Sequence, residues 1–436
     1  MKRILSILIL LPFLLNGQDT IITNSDPVKN YISLCNKRDT PMPKKHHLYT
    51  TSYLTVESDD LNSSFLNSML FGGFITDEMK DKSINSGDES NQINAEITNG
   101  IRYEYIIYKL NSYYFQFSDV NLINSSFDDD VLKLTFHGNY DYQEETLDFS
   151  NTVIRADRYQ QYKFGYIYNI QKKDNLWQIN TALSYLNGNH HAQINIKEAT
   201  LYTSELGTSL DLNYDINAMM TDTSNMSVFA GNGKGVAMDL SIYLNRGTND
   251  YGIRIRDLGY INWNKNSIIT NTDSSFTFMG VEVQDFNNLP EFNDSIMDIS
   301  FNSNKTNFRS FIPARITLFY NKNLDHKYFK NLLISSHSRW QPYEVKGDIN
   351  WNLYNRGFSE SGYTSSWDVS TNIDLTYLYA KVGFSVGGFT DETKIHFALS
   401  DKKGFFTIGT YHLNELLLFE KDRTSMSGYI KFSTRF

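Results

Sequence analysis

The chain has 436 residues, a formal net charge of −9 and a mean hydropathy of −0.42. The acidic balance argues against nucleic acid as a partner, the hydropathy argues against a helical membrane protein, and the single cysteine, Cys35, cannot make an internal disulfide. Twenty-nine Tyr, 29 Phe and 5 Trp against 7 Pro are amphipathic rings of the kind that suit a membrane interface, although an aromatic-rich soluble β protein would share them.

Lys2 and Arg3 precede an apolar run from Ile4 to Leu15 and then Asn16-Gly17-Gln18. This pattern reads as a secretory signal peptide over residues 1–17. The run is too short to span a bilayer as a helix, and Pro12 interrupts it. Gln18 stands where a lipid-anchored protein would need cysteine. Residues 18–46 carry Pro27, Pro41 and Pro43 with Lys37, Arg38, Lys44 and Lys45, and read as a short N-terminal arm in the periplasm or the lumen. From residue 47 to 436 the chain reads as one domain. Within it, residues 58–85 place Leu61, Phe65, Leu66, Met69 and Leu70 at helical spacing. This segment is expected to be either a helix plugging a barrel or a loop helix covering an apolar edge.

Elsewhere, segments of roughly ten alternating residues are separated by Asn/Asp/Ser/Gly-rich stretches, the pattern of a membrane barrel. Candidate strands lie near 47–57, 100–109, 112–120, 131–138, 153–170, 175–186, 192–203, 207–215, 234–246, 249–263, 276–284, 311–322, 328–340, 345–355, 365–376, 381–389, 392–399, 403–412 and 425–436. Some of these are loop hairpins or halves of one strand. The fold class expected is all-β, an antiparallel transmembrane barrel of about 14 strands. Val236, Met238, Leu240, Ile242 and Leu244 share one strand face, while Ala237, Asp239, Ser241, Tyr243 and Asn245 share the other. Tyr162, Phe164, Tyr166, Tyr168 and Ile170 make a second apolar face, followed by a short polar turn and then Trp177, Ile179, Leu183 and Tyr185. In a sandwich such faces would pack on a second sheet, whereas in a barrel they would meet lipid.

The most informative local pattern is the hairpin 235–263. With Gly247-Thr248 as a two-residue turn, Ser241 falls opposite Arg254 and Asp239 opposite Arg256, all on the polar face. This lumen charge cluster is either a constriction that filters solutes or a salt-bridge ladder that fixes register in a filled barrel, the plainer of the two. The alternation breaks at Asp257-Leu258-Gly259, which calls for a β-bulge involving Asp257 and Gly259, placed near Gly259. Other motifs are weak. Gly231-Asn-Gly-Lys-Gly235 lacks P-loop spacing and precedes a strand. His46-His47 and His190-His191 are adjacent pairs whose rings point apart in a strand, so no metal is expected. Asp128-Asp129-Asp130 is an acidic run of the usually solvated kind. No nucleophile elbow or Ser/His/Asp set is visible, so neither enzymatic activity nor a cofactor is expected. The last strand alternates Met426, Gly428, Ile430, Phe432 and Phe436 against Ser427, Tyr429, Lys431, Ser433 and Arg435.

Gly235-Val-Ala-Met-Asp239, Asp257-Leu-Gly259, Ile261-Asn-Trp263, Pro313 leading into Ala314–Tyr320 and the terminal Phe436 resemble an uncharacterised domain family of Gram-negative outer-membrane β-barrels. That family is distantly similar to long-chain fatty-acid transporter barrels and to the barrel that shuttles cargo in type IX secretion. The resemblance implies location in the cell outer membrane, contact with its lipid, and recognition by the outer-membrane assembly machinery through a C-terminal signal, Phe432 and Phe436. It implies no substrate. The functional expectations are transport or binding of a small molecule, hydrophobic or not; a structural barrel that docks a periplasmic or secreted partner protein; or a soluble secreted β protein.

Overall fold

The computed structural model describes residues 45–436 apart from 59–60, 62–64, 66–67, 69–71, 85–89, 108–110, 174, 223, 226, 279–302, 341–342, 346–347, 351–364, 391–392 and 418–424. The expected signal peptide and nearly all of the arm lie outside these residues.

Long alternating segments form strands because each satisfies its backbone groups only by pairing on both sides. The principal elements are β1 (His46–Ser58), α1 (Asp77–Ile84), β2 (Ser90–Ile106), β3 (Ser112–Asp128), α2 (Asp129–His137), β4 (Thr152–Lys172), β5 (Asn175–Thr203), β6 (Leu210–Met220), β7 (Gly233–Arg246), β8 (Asn249–Trp263) and β9 (Ile268–Phe278). After these come β10 (Ala314–Asn323), β11 (Asn331–Trp340), β12 (Ser366–Asp374), β13 (Leu378–Val386), β14 (Lys394–Asp401), β15 (Phe406–Thr410) and β16 (Ser425–Arg435). Among the described residues, fourteen strands pair antiparallel in a ring that omits β6 and β9. The first and last strands seal it, from His47 opposite Arg435 to Glu57 opposite Ser425. His46 and Phe436 exchange backbone hydrogen bonds of 3.1 and 3.0 Å. Closure leaves no free edge in the ring.

The short connections, such as Lys172 to Asn175 and Arg246 to Asn249, lie at the end that holds His46 and Phe436. Gly247 takes φ +62°, which a two-residue turn with glycine first requires. The long connections lie at the other end. There β4 and β5 run on past the ring, and the outer half of β5 pairs with β6, which pairs in turn with β9. Candidate segments 175–186 and 192–203 are thus halves of one strand, as was expected of some candidates.

Polarity is inverted relative to a soluble core. Phe164 is 58 % and Leu183 71 % exposed on the outside, whereas Lys163 is 5 % exposed inside. Register aligns the outer apolar residues into a belt. Tyr162, Tyr185 and Val236 are level at one rim, and Ile170, Trp177 and Leu244 at the other. That separation is close to the about 9–11 residues of a tilted membrane strand.

Two expectations are corrected. Residues 131–138 form most of helix α2 rather than a strand: Asp129 and Asp130 sit in its first turn, Leu132 is buried, and Gly138 at φ +75° ends it. The segment 58–85 supplies no described plug. Leu61 and Phe65 pack with Leu54, Val56, Ile93, Ala95 and Met426, and with α2 through Leu132 and Phe136. Tyr53, Thr55, Asn94 and Glu96 line the interior, so the alternating residues between them face outward. The segment therefore covers an apolar edge on the outer wall at the long-loop end, the second of the two expectations for it.

Candidate functional site

The site is built from inward-facing side chains and begins at a break in one strand. β7 and β8 pair regularly from Arg246 opposite Asn249 to Leu240 opposite Ile255, then slip by one residue, so that Met238 faces Leu258. Asp239 thus spans Arg256 and Asp257, and Asp257 is the bulged residue, at φ +58°. The bulge lies at Arg256–Asp257 and not near Gly259, which pairs regularly with Ala237. Since strand faces alternate, a one-residue slip changes the phase of everything after it. Ile253 and Ile255 face outward, whereas Ile261 and Trp263 turn inward, 0 % and 1 % exposed.

The ladder expected between Asp239 and the two arginines is corrected as well. Asp239 takes Lys163 of β4 as its ion-pair partner, and also accepts the Asp257 amide at 2.9 Å. Lys163 in turn lies 3.2 Å from Asp257 Oδ1, and Gln161 Nε2 donates to the same oxygen at 2.8 Å. Arg254 sits opposite Ser241 and Thr317, and Arg256 opposite Arg315. These contacts tie β4 to β7 and β8, two and three strands away on the same side of the ring. A second bridge, Arg315 of β10 to Glu96 of β2, spans the lumen, with Arg339 of β11 4.0 Å from the same carboxylate. Two more tie neighbouring walls: Lys394 to Glu57 at 2.8 Å, and His337 to Asp368 at 2.8 Å. Removing one partner of such a buried pair strands a charge, so the bridges are mutually dependent.

Toward the long-loop end, Val120, Leu122, Tyr159, Leu186, Ala237, Ile261, Trp263 and Ile312 form an apolar cluster on the inner face of the wall. Trp263 Nε1 donates to Ser310 Oγ at 2.8 Å. Its ring needs the close approach that glycine allows, since a Cβ at Gly188 would stand 2.5 Å from Cζ3 and one at Gly233 2.6 Å from Cε3. Beside this cluster, Arg155 Nη2 donates to the Phe311 carbonyl at 2.7 Å and Nε to Asp157 at 2.6 Å. Asp157 receives His191 Nδ1 at 2.7 Å. On the other side of the Glu96–Arg315 bridge lies a polar cavity of about 140 Å³, walled by β1, β2, β10 to β14, Arg256 of β8 and Tyr411.

Phe432 lies on the outer face against Phe405 and Phe406, with ring centroids 6.1 and 5.2 Å away, and the Phe436 ring stacks on His46 at 5.4 Å. Reading the sequence missed Lys163, Glu96, Arg315 and Trp263. Lys163 stands in the polar phase of its strand, so its inward aim was legible while its partners, 76 and 94 positions away, were not. Trp263 was missed because the phase change that turns it inward depends on where the bulge falls. Among the described residues, no group of three or more His, Cys, Asp or Glu side chains is placed to hold a metal ion.

A family model described as "Family of unknown function (DUF5723)" matches residues 50–393. No curated protein matches the chain. Solved structures similar to it include the toluene transporter TodX of P. putida (7 % identity, 91 % of each chain covered, TM-score 0.39). Others are a Pseudomonas aeruginosa FadL homologue (8 %, 89 % of each, 0.35) and the translocator domain of the autotransporter NalP from Neisseria meningitidis (7 %, 94 % of each, 0.34).

Proposed function

The chain belongs to the DUF5723 family, and from that premise we propose that it is a non-enzymatic outer-membrane β-barrel that binds or passes a small solute through its lumen. The observation that carries this reading is the inverted polarity. A belt of outward aromatics and aliphatics is set against buried, paired charges, and this arrangement suits a wall that stands in lipid. Short turns beside His46 and Phe436 and long loops opposite match the periplasmic and outer ends of such barrels. Phe432 and Phe436 on the sealing strand suit recognition by the outer-membrane assembly machinery. The charged lining supports a polar solute over a hydrophobic one.

Heat-modifiable migration on a gel and recovery with outer membranes test the location; a soluble periplasmic pool would overturn it. Solute flux into liposomes holding the purified barrel tests passage. The cross-braced lumen also supports a second reading, a closed barrel that docks a periplasmic or secreted protein. Absence of flux together with a specific partner in a pull-down would favour that reading.

A further inference from the structure

We propose that the cavity on the far side of the Glu96–Arg315 bridge is a binding site for a small, multiply charged oxyanion of the size of inorganic phosphate. The inference rests on reading the lumen as a solute-binding compartment and names the chemical class that it would take.

The first argument is charge. The chain as a whole carries −9, yet the cavity is lined by five basic side chains of Arg and Lys against three carboxylates. The carboxylates are already engaged: Glu96 by Arg315, Glu57 by Lys394, and Asp368 by His337 and His396. Lys381 faces the same space and forms no ion pair among the described residues; Asp368 is the acid that acts on it. A half-buried lysine with no ion-pair partner bears part of the cost of desolvation uncompensated, and an anionic ligand would offset it.

The second argument is an unused amide. Asn94 lines the cavity and is 2 % exposed, and neither its amide oxygen nor its amide nitrogen has a hydrogen-bond partner. Buried amides are nearly always paired. Asn94 stands on β2 two positions from Glu96, on the same inward face. It can donate to an oxyanion held by Lys381 and accept from a protonated oxygen of the same ligand. The third argument is size. A cavity of about 140 Å³ is comparable with those of about 150 Å³ that take a benzene-sized guest. That admits phosphate and excludes a nucleotide or a lipid.

The test uses the full-length barrel folded in detergent, its folding checked by heat-modifiable migration, with inorganic phosphate titrated by calorimetry and by 31P line broadening. The expected result is saturable one-site binding, competed by sulfate and not by chloride. Lys381→Gln should weaken it about tenfold or more, the scale of one charged hydrogen bond, and Lys381→Arg should restore it. Asn94→Ala should weaken it by a smaller factor. No saturable binding to the folded wild-type protein, or binding indifferent to Lys381→Gln and Asn94→Ala alike, would overturn the site. Neutral-solute flux is measured in parallel. Flux without phosphate binding removes the site and leaves the lumen reading standing, whereas binding without flux keeps the site and removes passage.

Discussion

Lys163 Nζ lies 3.2 Å from Asp257 Oδ1 while it pairs with Asp239, so one lysine on β4 neutralises both the bulged residue of β8 and the aspartate facing the bulge on β7. All three side chains are held largely away from water. The bulge is thus braced by a charge from a strand three positions along the same wall, and a positive φ at a non-glycine residue persists only where its surroundings over-determine it.

Lys163→Met therefore leaves two carboxylates facing each other without their cation. The expected loss is about 3–5 kcal/mol in the urea unfolding of the detergent-folded protein. Adding Asp239→Asn to it should recover part of that loss. A Lys163→Met protein as stable as wild type would show that the pair does not brace the bulge.

Arg155 ties the strand that carries Asp157 to the backbone of Phe311, next to Ile312 of the inner apolar cluster. Arg155→Ala removes charged hydrogen bonds each of about 1.5–3 kcal/mol. Limited proteolysis should then cut the 306–313 segment faster than in wild type, with Arg155→Lys in between. Equal cleavage rates would show that Arg155 does not hold the segment.

Leu240 lies on the outer face midway between the two rims of the belt. Leu240→Arg should cost about 2–4 kcal/mol in bilayers, as charges do near the midplane of a lipid-facing wall. Glu205→Arg, on an exposed turn at the long-loop end, should stay within about 0.5 kcal/mol. Equal effects at the two positions would contradict the lipid belt.

Asp157 and His191 stand beyond the belt toward the long-loop end. Burial lowers His191 below its ordinary 6.5, and Asp157 beside it does not fully compensate. Burial alone would raise Asp157, but Arg155 and His191 outweigh it and hold the carboxyl well below 3.8. Both folded-state values are depressed, so the unfolded chain takes up protons first as pH falls. The histidine contribution is full above about pH 6.5 and declines below it. The aspartate contribution is lost only below about pH 3.9. The urea midpoint should therefore drop between pH 7.5 and 5.0, and His191→Gln should flatten that change. A midpoint that rises on acidification has the wrong sign for this pair.

Much of the architecture was legible one strand at a time. The alternations of 162–170, 177–185 and 236–244, the Gly247-Thr248 turn and the pairing of Ser241 with Arg254 follow from the two-residue period of a strand and the geometry of a tight turn, which are local. The sequence also showed that the period breaks at 257–259 and that 58–85 is helical in spacing. It did not show that 131–138 is a helix, because Leu132, Leu134 and Phe136 satisfy a strand's alternation while the acidic first turn and Gly138 favour the helix.

The sequence by itself determined which residues alternate, that the polar phase of β7 and β8 is charged, and that a bulge must occur. The tertiary structure alone decided where the extra residue sits, and hence that Ile261 and Trp263 face inward. It also decided that Asp239 answers to Lys163, that Glu96 answers to Arg315, and that Lys381 and Asn94 share one cavity. The physical reason is closure. When fourteen strands meet in a ring, charges far apart in the chain face one another across a low-dielectric interior, where every one of them needs a partner. No local period carries that choice of partner.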